Sequence, residues 1–169
     1  MPTTTPSNLS FLANNKYEFV IDRLPDFEFF VQSINFPTIT LIDTVVQSPW
    51  VPVHSPGNNL NFEQLQITYA IDEDMKSWFD LYTWMVNLGN PESLDKTGIL
   101  TRQPGRQNSV TSDATLFIKT NSNNVNLKVT FVDVFPVDLG GFQLSSIEGH
   151  DFQTSTVTFS YDYMKIEKL

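Results

Sequence analysis

Residues 62–89 read FEQLQITYAIDEDMKSWFDLYTWMVNLG. Leu65, Ile67, Tyr69 and Ile71 alternate with Gln64, Gln66 and Thr68, the two-residue period of a strand with one buried face. The other face is polar but almost uncharged. Asp72-Glu73-Asp74 then supplies an N-cap and puts negative charge where a helix dipole is positive. Met75 to Leu88 holds neither Pro nor Gly, Gly89 stops the run, and Pro91 lies beyond, so a helix is expected over about residues 73–88. Met75, Trp78, Phe79, Tyr82, Met85 and Val86 fall on one helical stripe, and Leu81, Trp84 and Leu88 carry the apolar surface round its side. That surface is wider than one core contact requires. Core filling is the plain reading of these aromatics, and a second face packed on another subunit is the alternative.

Upstream, residues 1–15 combine Pro2, Pro6, three Thr and Asn14-Asn15, the composition of an arm. Tyr17, Phe19 and Ile21 then alternate with Glu18, Val20 and Asp22 as a strand buried on one face, ended by Pro25. Glu28 to Phe36 is a second strand candidate with apolar residues on both faces: Phe29 and Val31 on one, Phe30, Ile34 and Phe36 on the other. Leu41 to Val53 is rich in Val but interrupted by Pro49 and Pro52, which fits an edge strand or extended loop, and Ser55-Pro56-Gly57-Asn58-Asn59 reads as a turn.

Downstream, residues 89–113 form a long loop carrying Lys96, Arg102 and Arg106. Ala114 to Lys119 and the alternating run Val125, Leu127, Val129, Phe131 form a hairpin about Asn121-Ser122-Asn123-Asn124. Phe135-Pro136 is expected to break the second strand, and Gly140-Gly141 to turn. Thr154 to Met164 is a last strand, with Val157, Phe159, Tyr161 and Tyr163 inward and Thr158, Ser160 and Asp162 outward. The fold class is therefore mostly β, a small antiparallel β-barrel or sandwich with one flanking α-helix. It comprises an arm, residues 1–15, and a single domain, residues 16–169.

A chain of 169 residues suits one domain and buries about two-thirds of its unfolded surface without a staple. It has no Cys, which removes disulfides, thiol nucleophiles and nearly all structural zinc. Nineteen Asp and Glu against ten Lys and Arg leave a net charge of -9, the wrong sign for gripping phosphate backbones. No apolar run approaches the roughly 20 residues of a membrane helix, and the first residues lack a signal peptide's basic start and apolar stretch, so no membrane anchor is expected. Chemistry is hard to write. His54 and His150 are the only imidazoles, no two of them at helical spacing. His150 beside Asp151 has no nucleophile elbow, and no Gly-rich phosphate loop is present. Asp72-Glu73-Asp74 reads as capping rather than paired acid-base carboxylates. No catalytic residue, metal or cofactor is assigned.

The order of motifs carries a resemblance: the strand Tyr17-Glu18-Phe19-Val20-Ile21, a strand ending in Phe36-Pro37, and Phe62 to Tyr69 running through Asp72-Glu73-Asp74 into a Trp-bearing helix. Farther on come the strand Val125 to Val134, Phe135-Pro136-Val137-Asp138-Leu139-Gly140, and a strand closing on Tyr161-Asp162-Tyr163. Over about residues 16–166 this resembles the tail tube protein family of contractile-tailed, T4-type bacteriophages, and is similar also to the type VI secretion inner-tube protein. The resemblance implies a non-enzymatic virion structural protein, made in the host cytoplasm and placed in the tail. It implies rings of six that stack into a hollow tube inside a contractile sheath, with sheath and baseplate proteins as partners and DNA passing without specific binding. The arm and the 89–113 loop raise the alternative of a tube-initiating baseplate ring or a tube-terminating ring of the same fold.

On that frame, Phe30, Trp50, Trp78, Phe79, Tyr82 and Phe131 are expected at subunit interfaces, and Gln64, Gln66, Thr68, Thr158, Ser160 and Asp162 on the lumen wall. Stacking is expected of the arm, Leu41 to Val53 and the 89–113 loop. A rival of another class is a carbohydrate-binding β module stacking sugars on Trp50, Trp78 or Trp84.

Overall fold

The computed structural model describes residues 9–89, 110–145 and 152–169. The stretches 1–8, 90–109 and 146–151 lie outside the described residues, and with them His150, most of the 89–113 loop and the start of the arm. The described elements in chain order are β1 (Tyr17–Ile21), a 3-10 turn (Phe27–Phe30), β2 (Val31–Asn35), β3 (Ile39–Val46), β4 (Val53–Phe62), β5 (Leu65–Ala70), α1 (Lys76–Gly89), β6 (Ser112–Lys119), β7 (Val125–Leu139), β8 (Thr154–Ser160) and β9 (Tyr163–Lys168). Among the described residues the fold is mostly antiparallel β with a single helix, the class expected from the periodicities.

Strand order runs β1-β6-β7-β8-β5-β2, with β9 also on β7. The 15-residue β7 belongs to both halves of the sheet. Its first part pairs β6 and β9, its last part β8. Between them Asp133 takes a positive φ of 56°. The bend is held locally: Thr111 Oγ1 donates to Asp133 Oδ1 at 2.6 Å, and the Asp133 amide donates to Asp113 Oδ1 at 3.2 Å. Such a kink turns one sheet into two facing layers. Their inner faces make the core: Phe19, Ile21, Leu116, Val129 and Phe131 from one, Leu65, Ile67, Tyr69, Val157 and Phe159 from the other.

Several expectations change at this level. Phe135-Pro136 does not break β7, because the register slips between Pro136 and Asp138 and lets the strand continue on β8. The expected terminal strand is two, β8 and β9, interrupted at Tyr161-Asp162 opposite the β7 kink, with the Asp162 amide bonded to Val132 O at 3.0 Å. Past that interruption Met164 is buried and Tyr163 exposed, so Tyr163 is not inward. Glu28 to Phe36 begins as a 3-10 turn, which buries Phe27 against Tyr69 at a ring separation of 4.9 Å and leaves Phe29 in solvent.

Leu41 to Val53 is neither a lone edge strand nor a loop: β3 and β4 form their own two-stranded ribbon. Pro49 and Pro52 fall in its connection, where no ladder amide is needed. Ser55 to Asn59 lies inside β4 and is not a turn. Leu41 pairs Leu60 and Asp43 pairs Pro56, so β4 bulges, and Gly57 approaches so closely that a Cβ there would lie 1.8 Å from Ile42 O. Gly meets that need as it would meet a turn's.

Helix α1 is capped as expected. Asp72 accepts from the amides of Lys76 at 3.0 Å and Ser77 at 3.2 Å. Its buried face differs from the expected stripe. Ser77, Leu81 and Trp84 turn inward, while Phe79 and Tyr82 face solvent. Trp84 fixes this orientation, since its Nε1 donates to Val110 O at 3.1 Å, its ring packs 6.2 Å from Phe159, and the Arg23 guanidinium sits 5.0 Å above it.

Candidate functional site

The outward face of the β2-β5-β8-β7 layer is assembled by register. Asn35, Gln66, Thr158 and Asp138 form one row across four strands, and Ser33, Thr68 and Thr156 form the next. Asn35 Nδ2 donates to Gln66 Oε1 at 2.8 Å, which ties β2 to β5 by side chains as well as by ladder. These rows hold no Lys or Arg and a single carboxylate, Asp138. Beside them is a shallow depression of about 500 Å³ lined by Phe62, Glu63, Gln64, Gln66 and Thr158. Thus Gln64, Gln66, Thr68, Thr158 and Ser160 come together on one surface. Asp162 does not, because it occupies the bend between β8 and β9.

The six residues expected at interfaces separate by burial. Phe131 is 0% exposed and packs edge-on against Tyr161 with ring centroids 5.0 Å apart. Its side chain is spent in the subunit's own core and has nothing to offer a neighbour, which corrects that expectation. Phe30 is half-buried against the same core. Trp50, in the β3–β4 connection, is 91% exposed, and Phe79 and Tyr82 are exposed on α1. Trp78 stacks on Tyr82 at 5.5 Å with nearly parallel planes and meets Phe142 edge-on at 5.9 Å. Its buried indole N–H has no hydrogen-bond partner. Of the three tryptophans only Trp50 presents an open ring, so Trp78 and Trp84 are poor sugar platforms.

A further apolar surface lies on two of the segments expected to stack, the arm and Leu41 to Val53, and continues onto β4. The ribbon exposes Leu41, Ile42, Val45, Val46 and Leu60, and the arm exposes Leu9, Phe11 and Leu12. In the arm the alternation of Leu9 and Phe11 about Ser10 was a signal. Phe29 gave none, since its exposure follows from the 3-10 turn.

Titratable groups here are structural. Burial, and then the nearby Glu63 charge, pushes the Tyr161 phenol up to about 12. Burial likewise raises Tyr69 and Tyr17. The hydrogen bond from Lys76 to Asp26 holds that ammonium above its usual value and links α1 to the 3-10 turn. His54 and Asp43 pair at 2.7 Å on the exposed ribbon; the hydroxyl residues Thr44 and Ser55 are the next pair in the ladder, at alternate positions whose side chains lie on the other face. Among the described residues no group of three or more acidic or imidazole side chains could hold a metal.

Among the described residues a bent antiparallel sheet closed on one core carries one helix, a two-stranded ribbon and broad exposed apolar surface. The solved structures agree on the fold. The anti-feeding prophage tube-terminating cap matches with a TM-score of 0.66 at 12% identity, covering 100% of this chain and 99% of that one. Hcp1 from Salmonella typhimurium matches with a TM-score of 0.53 at 15% identity, covering 90% and 85%. Residues 2–167 match the family model described as phage tail tube protein, and the chain belongs to that family. A curated relative, the tail tube terminator protein of Enterobacteria phage T4, is 27% identical over 142 residues, 81% of this chain and 76% of the relative.

Proposed function

We propose that this chain forms six-membered rings that stack within the tail tube of a contractile-tailed phage, with the outward face of β2, β5 and β8 turned to the bore. The observation that carries this reading is the composition of that face. Duplex DNA presents one negative charge per about 1.7 Å of axis, and each Lys or Arg on a bore wall would be a point of adhesion. Ser33, Asn35, Gln66, Thr68, Thr156 and Thr158 offer none. A net charge of -9 adds weak repulsion, screened within about 8 Å, so the genome is neither held nor strongly excluded. Ring contacts then fall to surfaces with exposed apolar groups, α1 around Phe79 and Tyr82 and the ribbon around Trp50. Sheath and baseplate proteins meet the assembled rings from outside.

A second reading is a ring that ends the tube. It is favoured by the T4 relative, a tail tube terminator, and by the match to a terminating cap. Negative-stain microscopy with sedimentation velocity over a range of concentrations tests both. Long stacked tubes support the tube subunit, rings that do not stack support the terminator, and a monomer throughout refutes ring formation by the chain alone. Cysteines introduced at Gln66 and Ser160 test the bore: in assembled tubes they should resist labels too large to enter, and free labelling would overturn the assignment.

A further inference from the structure

The strand order is open between β1 and β2, its two ends. Each presents an edge with no ladder partner among the described residues, and between them lies a cleft of about 890 Å³ whose walls include Phe29, Val31, Ile34, Phe36 and Ile118. Tyr17 bridges it, its hydroxyl donating to Gln32 O at 2.6 Å. Adding a Tyr reach of roughly 6.5 Å, the edges stand no more than about 9 Å apart there, close to two strand spacings of about 4.8 Å. The gap there admits at most one added strand. The two-stranded β3–β4 ribbon is too broad for it.

We propose that the seam receives one extended segment from a second copy of this chain, the arm residues Leu9 to Phe11 of the neighbouring protomer. Leu9 and Phe11 are 70% and 92% exposed, two apolar side chains left uncovered among the described residues. In its own subunit Leu12 to Tyr17 line the cleft, and beyond them the bond from Asn121 Nδ2 to Phe11 O at 3.4 Å directs Leu9 to Phe11 toward the β6–β7 connection rather than into it. An extended segment in the seam would satisfy backbone groups of one or both edges and cover Phe29 and Phe36, which are otherwise exposed. Donor and acceptor are different surfaces, so the contact is head-to-tail and generates a ring where the rotation closes. In that closure the inference rests on the ring reading above.

The chain has no Cys, so an engineered pair reports alone. Phe11→Cys and Phe29→Cys proteins, carrying tags of different mass, would be mixed at assembling concentration and mildly oxidised. The expected product is the mixed disulfide dimer, in excess over either homodimer, and the double variant should give a covalent ladder ending at the ring number. Phe11→Ser, at an exposed position, should raise the concentration for half-assembly by about tenfold or more. Rings without the Phe11–Phe29 disulfide would overturn the arm contact and leave the ring reading intact. A ladder without closed rings by microscopy would keep the contact and overturn the ring. Neither association nor mixed disulfide at any concentration would overturn both.

Discussion

Replacing each helix tryptophan with phenylalanine should have opposite consequences. Trp84 is 2% exposed and donates its indole N–H to Val110 O at 3.1 Å. Trp84→Phe removes that bond, worth about 1 kcal/mol net, and vacates the pyrrole half of an enclosed ring, for roughly another 1–1.5 kcal/mol. Trp78 also buries its indole N–H, but with no partner. Trp78→Phe keeps a ring against Tyr82 and Phe142, loses about 0.5–1 kcal/mol of burial, and deletes a donor whose unsatisfied burial costs about 1–3 kcal/mol. The first variant should therefore lose about 2 kcal/mol and the second should be neutral or gain. Urea unfolding followed by far-ultraviolet circular dichroism, at one low protein concentration to hold assembly constant, checks the pair. With a slope of about 2 kcal/mol/M the midpoints should differ by about 1 M. Equal midpoints, or a larger loss for Trp78→Phe, would refute both the orientation of α1 and the hydrogen-bond reasoning.

Asp72→Ala should cost about 1–2 kcal/mol, read by the same unfolding, because two helix amides lose their acceptor. Gly140→Ala should destabilise by more than about 2 kcal/mol in calorimetry, since its Cβ would lie 2.9 Å from Thr156 O and 3.1 Å from Thr156 N, backbone atoms that cannot swing aside. Tyr161 ionises near 10.0 when unfolded and near 12 in the fold, so its contribution is complete below about pH 10 and is lost as pH rises toward 12. An alkaline unfolding series should show that decline, and Tyr161→Phe should flatten it while leaving neutral stability unchanged or higher, because the buried hydroxyl has no partner.

Short-range patterns were legible wherever one face of an element met the core. The alternation in β1, β5, β8 and the first part of β7, the Asn-rich β6–β7 connection and the Asp72 cap each follow from two or three neighbouring residues. Reading failed where the outcome depended on a distant strand. Pro136 looked like a breaker because the β7–β8 register slip that accommodates it is set by residues 155–160. Pro56-Gly57 looked like a turn because nothing local shows that Ile42 O will lie against Gly57. On α1 the apolar residues nearly encircle the helix, so periodicity could not decide which arc is buried. Val110, Phe159 and Arg23 decided it by holding Trp84.

The candidate bore surface divides the same way. That Gln66, Thr68, Thr158 and Ser160 share a polar character was written in the strands. That Gln66 and Thr158 are cross-strand partners, that Asp162 leaves the row at a kink, and that Phe131 is enclosed in its own subunit were fixed only when β7 bent and both sheets closed on one core. By itself the sequence determined the one-face-buried strands, the Asp72 cap, the absence of thiol chemistry and the acidic balance, because these depend on neighbours along the chain or on composition. Only the tertiary structure decided which apolar residues remain at the surface for other subunits, because exposure is what is left after the long-range pairings have taken their share.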